Sequence, residues 1–262
     1  MSSENSDRWS LKGKKALVTG GTKGIGAAIA EEFLSLGAEV FIVARSEPEL
    51  NLRVEDWTSR GWQARGMSGD IAEPRVRESV VARAGKHWGK LDIVVNNAGT
   101  NIRKKTQAYT EEEYDVLMNT NLTSAFDVCR RAYPLLKSAG GGSIVNIASV
   151  GGVTAMGTGS PYAMSKAAMI QMTRYLAAEW GPDGIRVNAI APWYIRTPLA
   201  SGVLVKPEYL ASVVARTPMA RVGDPEEVAG AAAFLCMGAA SYITGACLPV
   251  DGGFLSCGFT PP

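Results

Sequence analysis

Short, continuously apolar runs alternate with longer segments whose apolar positions recur every three to four residues, from the first to the last quarter of the chain. Residues 15–19 (KALVT), 39–44 (EVFIVA), 91–99 (LDIVVNNAG), 142–149 (GSIVNIAS), 185–192 (IRVNAIAP) and 246–250 read as strands. They lack the polar alternation of a half-exposed sheet, so both faces are buried. Helical spacing covers 25–37, with Gly37 as its stop, and then 47–60, 73–88, 111–137, 161–180 and 224–237. Strands of this kind separated by helices predict an α/β fold, a doubly wound parallel sheet with helices on both faces. No linker or repeat interrupts residues 10–255. The reading is one domain over 11–262 behind a polar N-terminal tail, 1–10.

Composition narrows the function classes. With 46% hydrophobic and 20% charged residues, the chain has the makings of an ordinary core. The net charge of +2 leaves no broad basic face for nucleic acid. Its densest basic run, Arg103-Lys104-Lys105, reads as a solvated loop. The four cysteines form no CxxC pair and the one histidine, His87, is distant from them in sequence, so no metal site is expected. The polar start MSSENSDRWS is unlike a secretory signal, which predicts free thiols and a cytoplasmic location. No run of 18 apolar residues exists, so no membrane helix is expected.

In such sheets ligands bind beyond the carboxyl ends of the strands. The first strand runs into TGGTKGIG, with glycines at 20, 24 and 26. Glycines there let backbone approach a pyrophosphate, which meets the free N–H groups of the next helix. This makes the fold Rossmann-type. The second strand ends Val43-Ala44-Arg45-Ser46, with no acid to hold ribose hydroxyls. Arg45 and Lys23 suit a 2′-phosphate instead, so NADP(H) is predicted over NAD(H).

Residues 160–168 read SPYAMSKAA. Tyr162 and Lys166, four apart on a helix, share a face. A nearby ammonium favours phenolate, so the pair predicts a tyrosine tuned for proton transfer. Ser149, at the end of an earlier strand, is placed to hold a substrate oxygen.

Taken together, TGGTKGIG, Asp70, NNAG (96–99), Asn121, Ser149 and YAMSK (162–166) resemble, in order, the short-chain dehydrogenase/reductase family. The resemblance spans about residues 10–256. WSLKGKKALVTGGTKGIG, QMTRYLAAEW and RTPMARVGDPEEV are similar to tropinone reductases and their relatives. The resemblance implies an NADPH-dependent carbonyl reductase, reversible as an alcohol dehydrogenase. Tyr162 would be the acid, Lys166 its tuner and ribose holder, Ser149 the carbonyl binder, and Asn121 the holder of a relay water, with Asn119 a rival. For the cofactor it implies Gly20, Thr22, Lys23, Gly24, Ile25 and Gly26, then Arg45, Ser46, Asp70 and Ile71. Asn97, Ala98 and Gly99 would line the ribose, and Pro192, Ile195 and Thr197 the nicotinamide. Asp70 reads alternatively as a helix cap, and Asn96 as a brace of the sheet.

One position departs from the family. Pro192 is followed by Trp193 and Tyr194 where glycine is usual. Trp193 either shapes substrate access or simply packs. The segment 198–216 reads as a lid. Leu199, Val203, Leu204, Trp193 and Tyr194, with Val150, Gly151 and Thr158, predict a mostly apolar pocket for a small or cyclic ketone. A 3-oxoacyl-carrier-protein reductase, a sugar or sterol dehydrogenase, and a cofactor-binding regulatory protein are the alternatives. The resemblance also implies a homo-oligomer, tetramer or dimer, with the C-terminal SCGFTPP reaching across an interface.

Overall fold

The computed structural model describes residues 8–258. Most of the predicted N-terminal tail and the end of SCGFTPP lie outside those residues.

Seven parallel strands form one sheet in the order β3-β2-β1-β4-β5-β6-β7. They are β1 (Lys15–Thr19), β2 (Glu39–Ala44), β3 (Ala64–Ser68), β4 (Ile93–Asn96), β5 (Gly142–Ile147), β6 (Ile185–Pro192) and β7 (Cys247–Val250). The helices are α1 (Gly24–Ser35), α2 (Glu47–Ser59), α3 (Pro74–Trp88), α4 (Glu111–Met118), α5 (Ser124–Ser138), α6 (Ser160–Trp180), α7 (Pro198–Leu204), α8 (Pro207–Ala215) and α9 (Pro225–Cys236). Successive strand residues face opposite sides, and each side has its own core. Val40 and Ile42 join Phe33 of α1, Trp57 of α2 and Val228 of α9. Phe41 and Val43 join Val80 of α3, Val128 of α5 and Leu176 of α6. Both faces are therefore covered, as the unbroken apolar runs require.

Three elements differ from the sequence reading. β3, ARGMS, carries no apolar run because it is an edge strand, paired with β2 alone. The helical stretch 111–137 is interrupted by a π-helical turn at Asn119–Thr123. The segment 198–216 is two helices rather than one, because Pro207 lacks the N–H that would continue α7.

Buried polar groups lock the core. Asn96 of β4 donates to Asn146 of β5 (2.8 Å), and Asn146 donates to Thr173 of α6 (2.9 Å). Asn96 thus braces the sheet. Arg77 of α3 donates from Nε to Asp127 of α5 (2.9 Å), which Arg130 and Arg131 also contact. Burial alone would raise the Asp127 carboxyl, but the three guanidinium groups override it and hold it at about 2. The chain crosses over between β1 and β4, so a crevice opens beyond their carboxyl ends.

Candidate active site and cofactor cradle

The turn after β1 is shaped by contact as much as by conformation. A Cβ on Gly26 would collide with the Gly20 carbonyl and the Asn97 amide, so only glycine lets α1 start so close to β1. Thr19 ties this end of β1 to β4: its hydroxyl accepts from Asn97 N and Ala98 N, both at 3.0 Å. The Asn97 side chain returns the tie, donating to Thr19 O and Gly20 O. No sequence signal marked Thr19, a common residue at a strand end. The first-turn N–H groups of α1 have no side-chain cap, since Lys23 precedes them with none to offer. Gly24 lies against Thr197, so Thr22 to Gly26 and Ile195 to Thr197 face one crevice.

These residues fit a dinucleotide. Arg45 is exposed just past β2 and forms no ion pair among the described residues. Lys23 is paired with Glu49 (2.6 Å), so it is less available to a phosphate than the sequence implied. Ser46 is occupied as the N-cap of α2. Arg53, which sequence reading passed over, extends back toward Thr22 O (3.5 Å). Asp70 accepts from Ala72 N through Oδ1, making a turn ahead of α3 whose own cap is Glu73. Its second oxygen accepts no hydrogen bond among the described residues. Ile71 is buried beside it. Thr197 caps α7 by accepting from Ala200 N (3.3 Å).

The four predicted catalytic residues converge at the carboxyl ends of β4 and β5. Asn121 is fully buried in the π turn, while its rival Asn119 is exposed. A π turn holds a surplus residue and displaces a side chain from the helical face. Here it aims the Asn121 amide at Thr100, donating to its carbonyl (3.0 Å) and accepting from its N–H (2.8 Å). A second donation reaches Ser165 of α6 (3.2 Å). Lys166, buried on α6, donates to Ile147 O at the end of β5 (2.7 Å). A Cβ on Gly99 would stand 3.4 Å from Asn121 Oδ1 and 3.5 Å from Lys166 Nζ, so Gly99 lines the gap between them. Ser149 follows β5, and its hydroxyl accepts from Gly151 N (3.0 Å).

Electrostatics departs from the sequence reading. Burial pushes the Tyr162 hydroxyl up, with the Ser149 hydroxyl and the Arg103 charge opposing it. Lys166 stands 5.9 Å from the Tyr162 ring centre, and burial lowers its own ammonium to about 8. Desolvation therefore sets the direction for the tyrosine, and Lys166 is not among the groups that oppose it.

The outer wall also differs from expectation. Trp193 adopts no left-handed backbone, so tryptophan fits where glycine is usual. Its ring stacks on Phe254 (3.7 Å between centres, 7°), and Nε1 donates to Thr217 (3.0 Å). It braces the C-terminal segment and the chain just past α8. Tyr194 is buried and shares a hydrogen bond with Tyr209 of α8; burial and that partner raise its hydroxyl. Val203 and Leu204 pack with Tyr194, while Leu199 is 45% exposed. Val150, Gly151 and Thr158 are buried beside Ser149 and ahead of α6. A separate cleft of about 580 Å³ lies at the amino-terminal ends of the central strands, by Asp92 and Arg186, away from this constellation. Among the described residues no cluster of His, Cys, Asp and Glu is arranged to hold a metal.

Comparison with known proteins agrees with this geometry. A family model described as enoyl-(acyl carrier protein) reductase matches residues 20–255. A tropinone reductase homologue of Arabidopsis thaliana is 49% identical over 258 residues, 98% of each chain. Among solved structures, a candidate short-chain alcohol dehydrogenase from Sinorhizobium meliloti superposes with a TM-score of 0.91 at 37% identity, over 95% of this chain and 98% of that one. A gluconate 5-dehydrogenase from Burkholderia cenocepacia, in complex with NADP and tartrate, superposes with a TM-score of 0.92 at 32% identity, over 96% and 99%. With the glycine turn, the seven-stranded sheet and near full-length identity to such relatives, the chain belongs to the short-chain dehydrogenase/reductase family and is an oxidoreductase with tropinone-reductase-like relatives.

Proposed function

We propose that this protein is an NADPH-dependent carbonyl reductase, reversible as an alcohol dehydrogenase, acting on a small, mostly apolar or cyclic ketone. The observation that carries this is the convergence of Asn121, Ser149, Tyr162 and Lys166 at the ends of two adjacent strands. NADPH, when bound, supplies the hydride. Ser149 donates to the carbonyl oxygen and Tyr162 delivers the proton to it. A hydroxyl held above its ordinary pKa stays protonated at neutral pH, which suits an acid in the reducing direction. Lys166, with Asn121 and the Thr100 carbonyl, forms the polar route by which that proton is replaced. Helices α7 and α8 serve as the lid, and Val150, Val203 and Leu204 supply apolar contact.

Preference for NADP(H) over NAD(H) rests on Arg45, an exposed guanidinium where an acid would hold ribose hydroxyls. Arg45→Asp is expected to lower the NADPH-to-NADH ratio of kcat/KM by about 10- to 100-fold. A ratio near one in the unaltered protein counts against the preference. The carrier-protein alternative is weakened because Lys104 of the basic run is paired with Glu113. Exposed Tyr114, Val116, Phe126, Met164 and Tyr175 support a homo-oligomer, dimer or tetramer, which light scattering tests. The four free cysteines suit a reducing compartment such as the cytoplasm, testable by fractionation, and no described helix is long and apolar enough to cross a membrane.

The test is NADPH oxidation, followed by absorbance, against cyclic and bicyclic ketones, a 3-oxoacyl thioester and an α-diketone. Selective turnover of cyclic ketones supports the reading. Binding of NADPH with no turnover of any member overturns it.

A further inference from the structure

One buried charge has no part in the proposed reaction. The glycine turn after β1 is the place for a pyrophosphate, and the catalytic candidates lie to one side of it, at the ends of β4 and β5. The other half of a dinucleotide therefore extends the opposite way, over the ends of β2 and β3. β3 leads into a turn, Asp70–Glu73, in which Glu73 N donates to Asp70 O (3.0 Å) and Ala72 N to Asp70 Oδ1 (2.9 Å). The start of α3 gives this turn no side-chain cap: Glu73 makes none, and Pro74 has no N–H.

Arg77, one turn into α3, reaches back to it. Nη1 donates to Ile71 O (3.0 Å) and to Ala72 O (2.7 Å), while Nε donates to Asp127 of α5 (2.9 Å). The residue is 5% exposed. A cation in the first turn of a helix opposes the helix dipole, and burying it is costly. An apolar side chain of similar size would fill the place without that cost. What the cation adds is a grip: a planar fork holds two carbonyls of the turn on one side and a fixed carboxylate on the other. Asp127 is itself held by Arg130 (2.6 Å) and Arg131 (3.0 Å). Gly69 completes the fit. A Cβ there would stand 2.8 Å from Val76 Cγ1, so the chain entering the turn lies directly on the first turn of α3.

We propose that Arg77 is a positioning residue for the adenosine end of the cofactor, anchoring the turn so that the second oxygen of Asp70 meets the adenine amino group. This role rests on the NADP(H) reading. Arg77 acts through the main chain and touches no cofactor atom. Without the grip, the turn keeps its own two hydrogen bonds but loses its fixed place against α5. The contact to the amino group then weakens, while the other cofactor contacts stay.

The experiment is a fluorescence titration of the protein with NADPH and with its hypoxanthine analogue, which has a carbonyl where adenine has the amino group. The unaltered protein is expected to bind NADPH about 10-fold more tightly than the analogue. Arg77→Met is expected to weaken NADPH by about 5- to 10-fold and the analogue by no more than about twofold, so the ratio falls toward one. Arg77→Lys keeps a cation beside Asp127 without the fork, and is expected to fold normally and lose part of the ratio. If Arg77→Met does not fold, Arg77→Lys carries the same test. In an Asp70→Ala background, Arg77→Met should have no further effect on NADPH. Equal weakening of both ligands marks a general loss of structure and overturns the role. So does an unchanged NADPH affinity in Arg77→Met, or equal binding of the two ligands by the unaltered protein. These affinities are read without turnover, so a protein that prefers adenine but reduces no ketone fails as a reductase and still decides the role of Arg77.

Discussion

At the floor of the site, Asn121, Ser149 and Lys166 are buried and each is fixed by main-chain groups: Thr100, Gly151 and Ile147. At the rim, Arg103 and Leu199 are exposed, Thr158 has an unpaired hydroxyl, and Trp193 and Tyr194 are held by other side chains. The contrast has a chemical meaning. Groups that must meet the same carbonyl in every turnover are set by the backbone, which few substitutions move. Groups that choose among substrates are side chains on loops, which vary without disturbing the sheet.

The comparison breaks most visibly at the floor. Tyr162→Phe is expected to lower kcat by about 10³-fold, within the range for a general acid, while NADPH affinity measured by fluorescence is unchanged. Activity within a few-fold of the unaltered protein would remove Tyr162 from its role.

Lys166→Met separates chemistry from stability. Turnover is expected to fall by about 10²-fold. Stability should rise, because burial lowers the ammonium from 10.5 to about 8, a cost of about 3 kcal/mol, partly offset by the lost bond to Ile147. The unfolded chain therefore holds a proton that the folded chain releases between pH 8 and 10.5. The unaltered protein should gain stability as pH rises through that window, and Lys166→Met should lose that slope in denaturant titrations. An unchanged slope would contradict the burial argument.

Asp127 sharpens the same point away from the site. Its folded value of about 2 lies below the ordinary carboxylate value of 3.8, so its contribution is present above pH 4 and lost as pH falls toward 2. Asp127→Asn is expected to cost about 2–3 kcal/mol at pH 7, leaving Arg77 short of a counter-charge, and to leave substrate ratios unaltered.

The rim carries the smallest effects on chemistry. Trp193→Gly removes the Phe254 stack and the Thr217 bond, so it should lower the melting temperature by several degrees. Substrate ratios should shift by no more than about threefold. A tenfold change in preference would place Trp193 at the pocket after all.

Most of this was legible in the sequence because burial on both faces leaves an unbroken apolar run, as in β1, β2, β5 and β6. β3 was not, since an edge strand with one neighbour buries too little to write a pattern into ARGMS. The four catalytic candidates were found from motif order, but the choice of Asn121 over Asn119 acquires its physical reason only from the π turn. Trp193 was read either as shaping access or as packing, and its stack on Phe254 and bond to Thr217 are contacts that no spacing in the sequence announces.

The turn at Asn119–Thr123 also makes the chain sensitive to arithmetic. It stores one residue more than an α-helix of the same rise would use. Deleting a single position there would let the helix close up and rotate α4 against α5 by about 100°. The Thr100 clamp would open, although no residue of the site had been replaced. Between Glu111 and Ser138, then, the number of residues matters as well as their identity.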